Sequence, residues 1–505
     1  MARNPITLMQ LLAVLRGQVE ILEQRGDASL PVHAITDDSR AVTAGSLFVA
    51  VKGERVDGHR FVEQAIKSGA VAVVAQAAVA SGPLPFVQVA DSRKALGLLG
   101  SRFHGDPSAR LKMIGVTGTN GKTTTTYLCK SLLEGIGRRV GLIGTVGYQI
   151  GQETIPASHT TPGALDLQAL LTKMVEGGLT DAVMEVSSHA LALDRTAGCE
   201  YDVAVFTNLT QDHLDFHHTM DEYFEAKLRL FTGLAGGQKA GKRAIVNLDD
   251  PRGGAIRAAC PVPAWGYAIK NQADLKAERV RLSLAGTAFT AATPAGSFAV
   301  ESRLVGEHNV YNLLGAIGVA LHSGATSDQV CEAAAQITNV PGRFERVFSG
   351  QDFTVVVDYA HTEDALLRLL TAAQTLKTGR IITVFGCGGD RDRGKRPKMG
   401  RAAVEYSDVV ILTSDNPRTE DPLAILHEVE IGVREALERR NHVQYHMVPD
   451  RREAIGAAIH EARRDDMVLI AGKGHEDYQI IGTKKFHFDD REVAREAIQQ
   501  LQDCA

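Results

Sequence analysis

The chain reads as an α/β protein of three domains, and three observations predict that class. Short apolar runs alternate with helical stretches along most of the length, the pattern of parallel sheets covered by helices. Two segments rich in turn-forming residues, His104-Gly-Asp-Pro-Ser and Pro341-Gly342, interrupt that alternation. The 505 residues are enough for about three domains of ordinary size. The expected divisions are a small N-terminal α/β domain over 1–107, a central P-loop nucleotide-binding domain with a parallel sheet over 108–340, and a C-terminal Rossmann-like domain over 341–505.

In the first block, strands are predicted over 46–51, 70–74 and 86–89, with a helix over 58–68. An amphipathic helix is predicted over 6–22. It lacks the apolar block and cleavage site of a signal peptide, and 71–80 is too short to span a bilayer. In the second block the strands fall over 113–116, 140–143, 182–186, 203–206 and 244–246. In the third they fall over 354–357, 381–385, 409–412 and 467–471. Open parallel sheets bind ligands at the carboxyl ends of their strands. The residues that carry chemistry here all follow such ends.

Composition narrows the partners. A formal charge of -5 is too small to suggest a polynucleotide binder, although basic residues gather over 391–398. Six cysteines (Cys129, Cys199, Cys260, Cys331, Cys387 and Cys504) form no C-x-x-C pair, so reduced thiols are expected rather than a disulfide framework or zinc site. A soluble, cytoplasmic monomer without nucleic-acid partner or membrane insertion is the expectation.

Gly115-Val-Thr-Gly118-Thr119-Asn120-Gly121-Lys122-Thr123-Thr124 follows the strand 113–116 and precedes a helix. Glycines let backbone N–H groups turn towards phosphate oxygens, Lys122 adds charge, and the Thr123 hydroxyl can ligate Mg²⁺. The strict pattern places Gly at 116, where this chain has Val. Glu185 closes the strand 182–186, where folds of this kind hold a metal. His213, in Asn208-Leu-Thr-Gln-Asp-His213-Leu-Asp, follows the strand 203–206, and alone it reads as a loop or capping residue. Helical spacing sets Lys227 beside Tyr223, Phe224, Leu230 and Phe231. Burial would disfavour its charge, and a neutral amine can add CO₂ to become a carbamate; from helix geometry alone, a lysine that snorkels to solvent is the better reading.

The phosphate loop, Glu185-Val-Ser-Ser-His, the Asn208–Asp215 motif and Glu225-Ala-Lys together resemble the Mur ligases of peptidoglycan synthesis, and the resemblance runs along the whole chain. Within that family it is similar to the type that adds meso-diaminopimelate to UDP-N-acetylmuramoyl-L-alanyl-D-glutamate. The resemblance implies ATP as co-substrate, with Gly118 to Thr124, Asn309, Asn312, Arg343, Asp358 and His361 as nucleotide contacts. It implies Mg²⁺ near the ATP phosphates at Thr123 and Glu185, a second Mg²⁺ near His213 that a carbamylated Lys227 helps organise, and catalytic roles for Lys122, Lys227 and His213. Ser39 and Arg40 would receive the uridine end, and Thr160, Thr161, Ser187 and Arg195 the muramoyl dipeptide, with 1–107 as the UDP-substrate domain and 341–505 as the amino-acid domain. Leu193 stands where some relatives have glutamine, and Glu363 where a proline often follows His361-Thr.

Asp415-Asn416-Pro417-Arg418 follows the strand 409–412. Read alone it is as well explained as a polar turn. In the resembling family it marks diaminopimelate addition, and a guanidinium grips a carboxylate through two parallel hydrogen bonds. Arg391, Gly472 and Glu476 match the remaining contacts, with Glu476 able to accept from the distal ammonium. The implied reaction activates a carboxylate as an acyl phosphate, which an amine then displaces. A ligase with the same core but another acceptor, and a nucleotide-driven switch, are the competing readings. Arg418 and the turn at Ser39 weigh against the first, and the second leaves Lys227, Arg418 and Glu476 idle.

Overall fold

The computed structural model describes residues 6–53 and 56–503. Cys504 therefore lies outside the described residues. Three large sheets follow one another along the chain. The first has five strands, running across the sheet as Ile21–Arg25, Phe86–Val89, Ala70–Ala75, Ser46–Ala50 and Ala34–Thr36. All its neighbours are parallel except the edge strand Ile21–Arg25.

The second sheet has eleven strands. At its centre Lys112–Thr117 lies between Asp181–Glu185 and Val203–Phe206, parallel to both. Alternate side chains feed two cores. Ile114, Val116, Val183 and Val205 meet the helices Lys122–Gly135 and Glu307–His322 on one face. Met113, Met184, Ala204 and Phe206 meet Ala164–Glu176 and Met220–Thr232 on the other. Both faces are covered, so the strands are apolar throughout rather than alternating. The third sheet has six strands, and its inner four, Thr354–Asp358, Met467–Ala471, Ile381–Phe385 and Val409–Leu412, are mutually parallel.

The structure departs from the expectations at three places. The helix predicted over 6–22 is only Leu8–Leu12 with a 3₁₀ turn Ala13–Leu15, and Ile21–Arg25 is a strand. Leu8, Leu11, Leu12 and Leu15 bury with helical spacing, but Gly17 takes φ 71°, a left-handed conformation that turns the chain out of the helix. Beyond it, pairing with Phe86–Val89 claims Ile21–Arg25, and Leu22 is left exposed on that edge. The central sheet also carries an antiparallel extension, Leu275–Ser283, Gly286–Thr293 and Gly296–Ser302, that the strand runs did not predict. These strands alternate apolar and polar residues with many alanines and threonines, a weak signal in one sequence. The helix predicted over 58–68 is a 3₁₀ turn Gly58–Phe61 leading into Val62–Lys67. Among the described residues, no helix is long and apolar enough to cross a membrane.

Candidate functional site

The phosphate-type loop sits between the central strand Lys112–Thr117 and the helix Lys122–Gly135. Val116 stays in the strand, and the turn is made at Gly118, with φ 151°. A Cβ there would lie 1.9 Å from Thr207 Oγ1, so only glycine fits. Asn208 braces the loop: its carbonyl accepts from Thr119 N (2.8 Å), and its side-chain oxygen from Asn120 N (3.0 Å). Thr123 and Thr124 are buried at the helix start.

Two lysines converge on one oxygen. Lys122 Nζ donates to Gly118 O at 2.9 Å and to Thr119 O at 2.7 Å, while Lys227 Nζ donates to Gly118 O at 2.8 Å. Lys227 does not snorkel: it is 1% exposed, with its nitrogen 4.4 Å from the Tyr223 ring centre. Burial first, then the neighbouring Lys122 charge, pushes its pKa well below the ordinary lysine range. Burial also lowers Lys122, against the opposing pull of Glu185 and Asp212.

Glu185 is buried at its strand end, and Thr145 donates to it through both backbone N–H (2.9 Å) and hydroxyl (3.2 Å). Thr145 in turn links to Thr160 (3.1 Å between hydroxyls). Thr161 donates to Glu185 O at 2.8 Å and accepts from Ser187 N at 3.0 Å, and Arg195 donates to Thr161 O at 3.3 Å. Thr160, Thr161, Ser187 and Arg195 are thus gathered around Glu185. Leu193 caps the helix Ser188–Ala192, its N–H donating to His189 O at 2.9 Å.

His213 precedes the short helix Leu214–His217 with φ 55° and makes no side-chain capping bond. Its ring lies 4.8 Å from that of His189 and 6.0 Å from that of Tyr223. Burial lowers its pKa, with Asp212 opposing, and lowers that of His217 to about 4.

The nucleotide candidates from later in the chain meet the same loop. Thr125 Oγ1 donates to Asn312 Oδ1 (3.2 Å), and Asn312 Nδ2 to Asn309 Oδ1 (3.0 Å). Arg343 donates to Thr123 Oγ1 at 3.1 Å and stacks over Tyr359, 4.8 Å from the ring centre. Asn120 Nδ2 donates to Asp364 Oδ2 at 2.7 Å. The segment entering the C-terminal sheet is therefore tied to the loop at two points. Asp358 accepts from Phe344 N and Ala360 N, at 2.7 and 2.8 Å, while burial raises its pKa. His361 Nδ1 is 2.8 Å from Tyr359 O. Glu363 opens the helix Glu363–Leu376, where a negative charge suits the helix dipole, and pairs with Lys398 at 3.7 Å.

At the strand ends of the C-terminal sheet, Asp415 and Asn416 are buried. Asn416 Nδ2 donates to Glu476 Oε2 at 3.0 Å. Arg418, with φ 52°, is held by backbone bonds to Ile480 and Gly482, and its guanidinium donates to Gly389 O at 2.8 Å. Pro417 O accepts from Glu420 N, and Gly472 N donates to Asp358 O at 3.0 Å. Arg391 is exposed on the loop after Ile381–Phe385, donating to Asp390 O at 3.0 Å. Ser39 and Arg40 stand apart on the first sheet: Ser39 bonds Gln64 at 3.3 Å, and Arg40 grips Asp38.

Sequence reasoning missed Thr145, Asn208 and Asp364 as supports. Thr145 lies in Gly144-Thr-Val-Gly147 after a strand, the only signal available; nothing local marks Asp364 as a partner of Asn120.

Three family models match along the chain: the Mur ligase family catalytic domain over 31–104, the Mur ligase middle domain over 116–320, and the Mur ligase glutamate ligase domain over 342–474. A protein of Geobacillus thermodenitrificans named UDP-N-acetylmuramoyl-L-alanyl-D-glutamate–2,6-diaminopimelate ligase is 50% identical over 471 residues, 93% of this chain and 95% of that one. A solved structure of a ligase of the same name is 35% identical, with a TM-score of 0.72 over 99% of this chain and 100% of that chain. The MurF ligase of Thermotoga maritima in complex with ADP shares the fold at 20% identity, with a TM-score of 0.59 over 94% of this chain and 99% of that one. With its three domain models in order and relatives aligned over nearly its full length, this chain belongs to the Mur ligase family.

Proposed function

We propose that the chain is an ATP-dependent ligase that adds meso-diaminopimelate to UDP-N-acetylmuramoyl-L-alanyl-D-glutamate in peptidoglycan precursor synthesis. The observation that carries this reading is the cluster of Asp415, Asn416, Arg418 and Glu476 at the C-terminal strand ends, following a segment bonded to the phosphate loop. Diaminopimelate is a zwitterion at its distal end. Arg418 suits its carboxylate and Glu476 its ammonium. A lysine acceptor would leave the guanidinium unpaired.

Gly118 to Thr124 hold the triphosphate, with Asn309, Asn312, Arg343, Asp358 and His361 as further nucleotide contacts. The D-glutamyl carboxylate, placed by Thr160, Thr161, Ser187 and Arg195, attacks the γ-phosphorus, and ADP departs. Lys122 and the loop amides stabilise the charge on the transferring phosphoryl group. The amine of diaminopimelate then attacks the acyl phosphate carbonyl, loses its proton, and expels phosphate. Ser39 and Arg40 receive the uridine end.

Magnesium suits the hard oxygens of Thr123 and Glu185, and a second ion would be held near His213 by the oxygens of a Lys227 carbamate. When bound it supplies positive charge that offsets the phosphates. The buried, neutral-leaning amine of Lys227 is suited to take up CO₂, which turns a cation into an anionic oxygen ligand. The enzyme acts as a cytoplasmic monomer in this reading.

The test offers ATP, the uridine-linked muramoyl dipeptide, and either meso-diaminopimelate or lysine, with products identified by mass. Amide product and ADP are expected with diaminopimelate and little of either with lysine. Equal turnover with both would sink the assignment of the acceptor, and absence of ADP in every mixture would sink the reaction.

A further inference from the structure

Lys473 is fully buried, yet none of the roles above uses it. It follows Gly472 at the end of the strand Met467–Ala471, inside the acceptor cluster. Its ammonium donates to Asn416 Oδ1 at 2.9 Å and to Tyr478 O at 2.7 Å. It also lies between two carboxylates, 3.5 Å from Asp415 and 3.7 Å from Glu476.

Two consequences follow. Asn416 Oδ1 already accepts from Lys473 and from Ile480 N (2.9 Å), so the amide can present only its NH₂ to Glu476. Asp415 and Glu476 are like charges in a buried site, where one of such a pair would ordinarily keep a proton. The ammonium between them favours the ionised form of each.

We propose that Lys473 is the positioning residue of the acceptor subsite: it orients Asn416 and holds Asp415 and Glu476 as a pair of anions, so that the distal ammonium of the incoming zwitterion is captured. The inference rests on the diaminopimelate reading above and extends it.

Burial works against all three charges, and it lowers Lys473 while Asp415 and Glu476 oppose the fall. Burial, then Asp415, raises Glu476, while Lys473, Asn416 and Arg418 oppose the rise. Asp415 is held below the ordinary carboxylate range despite its burial, by Lys473, Arg451, His361 and Lys395. Arg451 is engaged elsewhere, pairing with Asp490 at 2.7 Å on the helix Asp490–Asp503. Tyr359 and Tyr478 face Glu476 as neutral phenols, pushed up first by burial. Of these groups, Lys473 alone lies within 4 Å of both carboxylates as an ion-pair partner.

Lys473→Met is the test, with kcat and KM followed from pH 6 to 9 for each substrate. The KM for diaminopimelate should rise about tenfold or more, while those for ATP and the sugar nucleotide stay within about twofold. The acid limb of kcat/KM for diaminopimelate should move to higher pH, because a carboxylate without its counter-ion keeps its proton longer. The substrate amine titrates identically in both proteins and cancels from the comparison. A loss shared by all substrates with an unmoved limb would make Lys473 a strut only and overturn the proposal, as would unchanged kinetics. Should the single variant fail to fold, Asp415→Asn/Lys473→Met removes one charge of each sign and is read against Asp415→Asn alone. The same upward movement of the limb is expected, and superimposable limbs overturn the proposal. A wild-type protein that forms no amide with diaminopimelate would instead refute the reading beneath it.

Discussion

The two ends of the proposed reaction are built on opposite electrostatic plans. Around the phosphate loop, burial pushes Lys122, Lys227, His213 and His217 towards their neutral forms, and two lysine nitrogens share one carbonyl. At the acceptor end, buried cations already have their anions: Lys473 with Asp415 and Glu476, Arg451 with Asp490, Arg396 with Glu420 and Glu428. The first region is short of negative charge, which the polyanionic substrate of the proposed reaction supplies. The second is balanced before binding, as suits an amino acid that brings equal and opposite charges. The difference teaches that a desolvated, unpaired cation marks where charge will arrive, whereas a paired one marks shape and orientation.

The largest effect should come from breaking the unbalanced side. Lys122→Ala removes the loop's charge from the point where the phosphoryl group carries most of its own. Turnover, measured as ADP release with all three substrates present, should fall about 10²- to 10³-fold. Thermal stability without nucleotide should change little, because the deletion removes a desolvated cation together with its bonds to Gly118 O and Thr119 O. A comparable loss on the acceptor side with none here would reverse the comparison.

Arg418→Ala should cost less and cost it selectively. Losing a charge-assisted bond of about 1.5–3 kcal/mol should lower kcat/KM for diaminopimelate by about 10- to 150-fold while lysine is used no worse. The backbone at Arg418 takes φ 52°, pinned by Ile480 and Gly482, so alanine at that position keeps the turn but pays the same left-handed cost. Initial rates with the two amino acids in parallel measure the change in preference. An equal loss for both would assign Arg418 to holding the loop instead.

The same contrast explains what could be read from the sequence. Lys122, Glu185 and Arg418 are legible because each follows an apolar strand within a short motif, and topology alone puts strand ends together. Helical spacing sets Lys227 beside apolar neighbours but favours a side chain that snorkels; its full burial depends on how tightly the helix Met220–Thr232 packs on the sheet. Bonds between distant segments left no local trace. Asn120 to Asp364 spans 244 residues and Lys473 to Asn416 spans 57, so neither partner predicts the other. The strand Ile21–Arg25 was missed for a related reason, since its identity is set by the edge it pairs with.

The last effect is on stability rather than turnover, and it probes the unbalanced side without touching the proposed chemistry of phosphate transfer. His217 is 4% exposed, packed beside Phe216 and Tyr223, and its Nε2 has no hydrogen-bond partner in the protein. Its folded pKa of about 4 lies below the ordinary 6.5. Between those values unfolding takes up a proton, so stability falls as pH drops from 6.5 towards 4 and changes no further through this group below that. Phenylalanine keeps the ring and has nothing to protonate. Urea unfolding of His217→Phe should therefore match or exceed wild type at pH 7.5, and its advantage should grow by up to about 1.4 kcal/mol per pH unit on acidification through that window. Parallel curves for the two proteins would show that the ring is charged in the folded state, and that cations on the phosphate side find anions of their own after all.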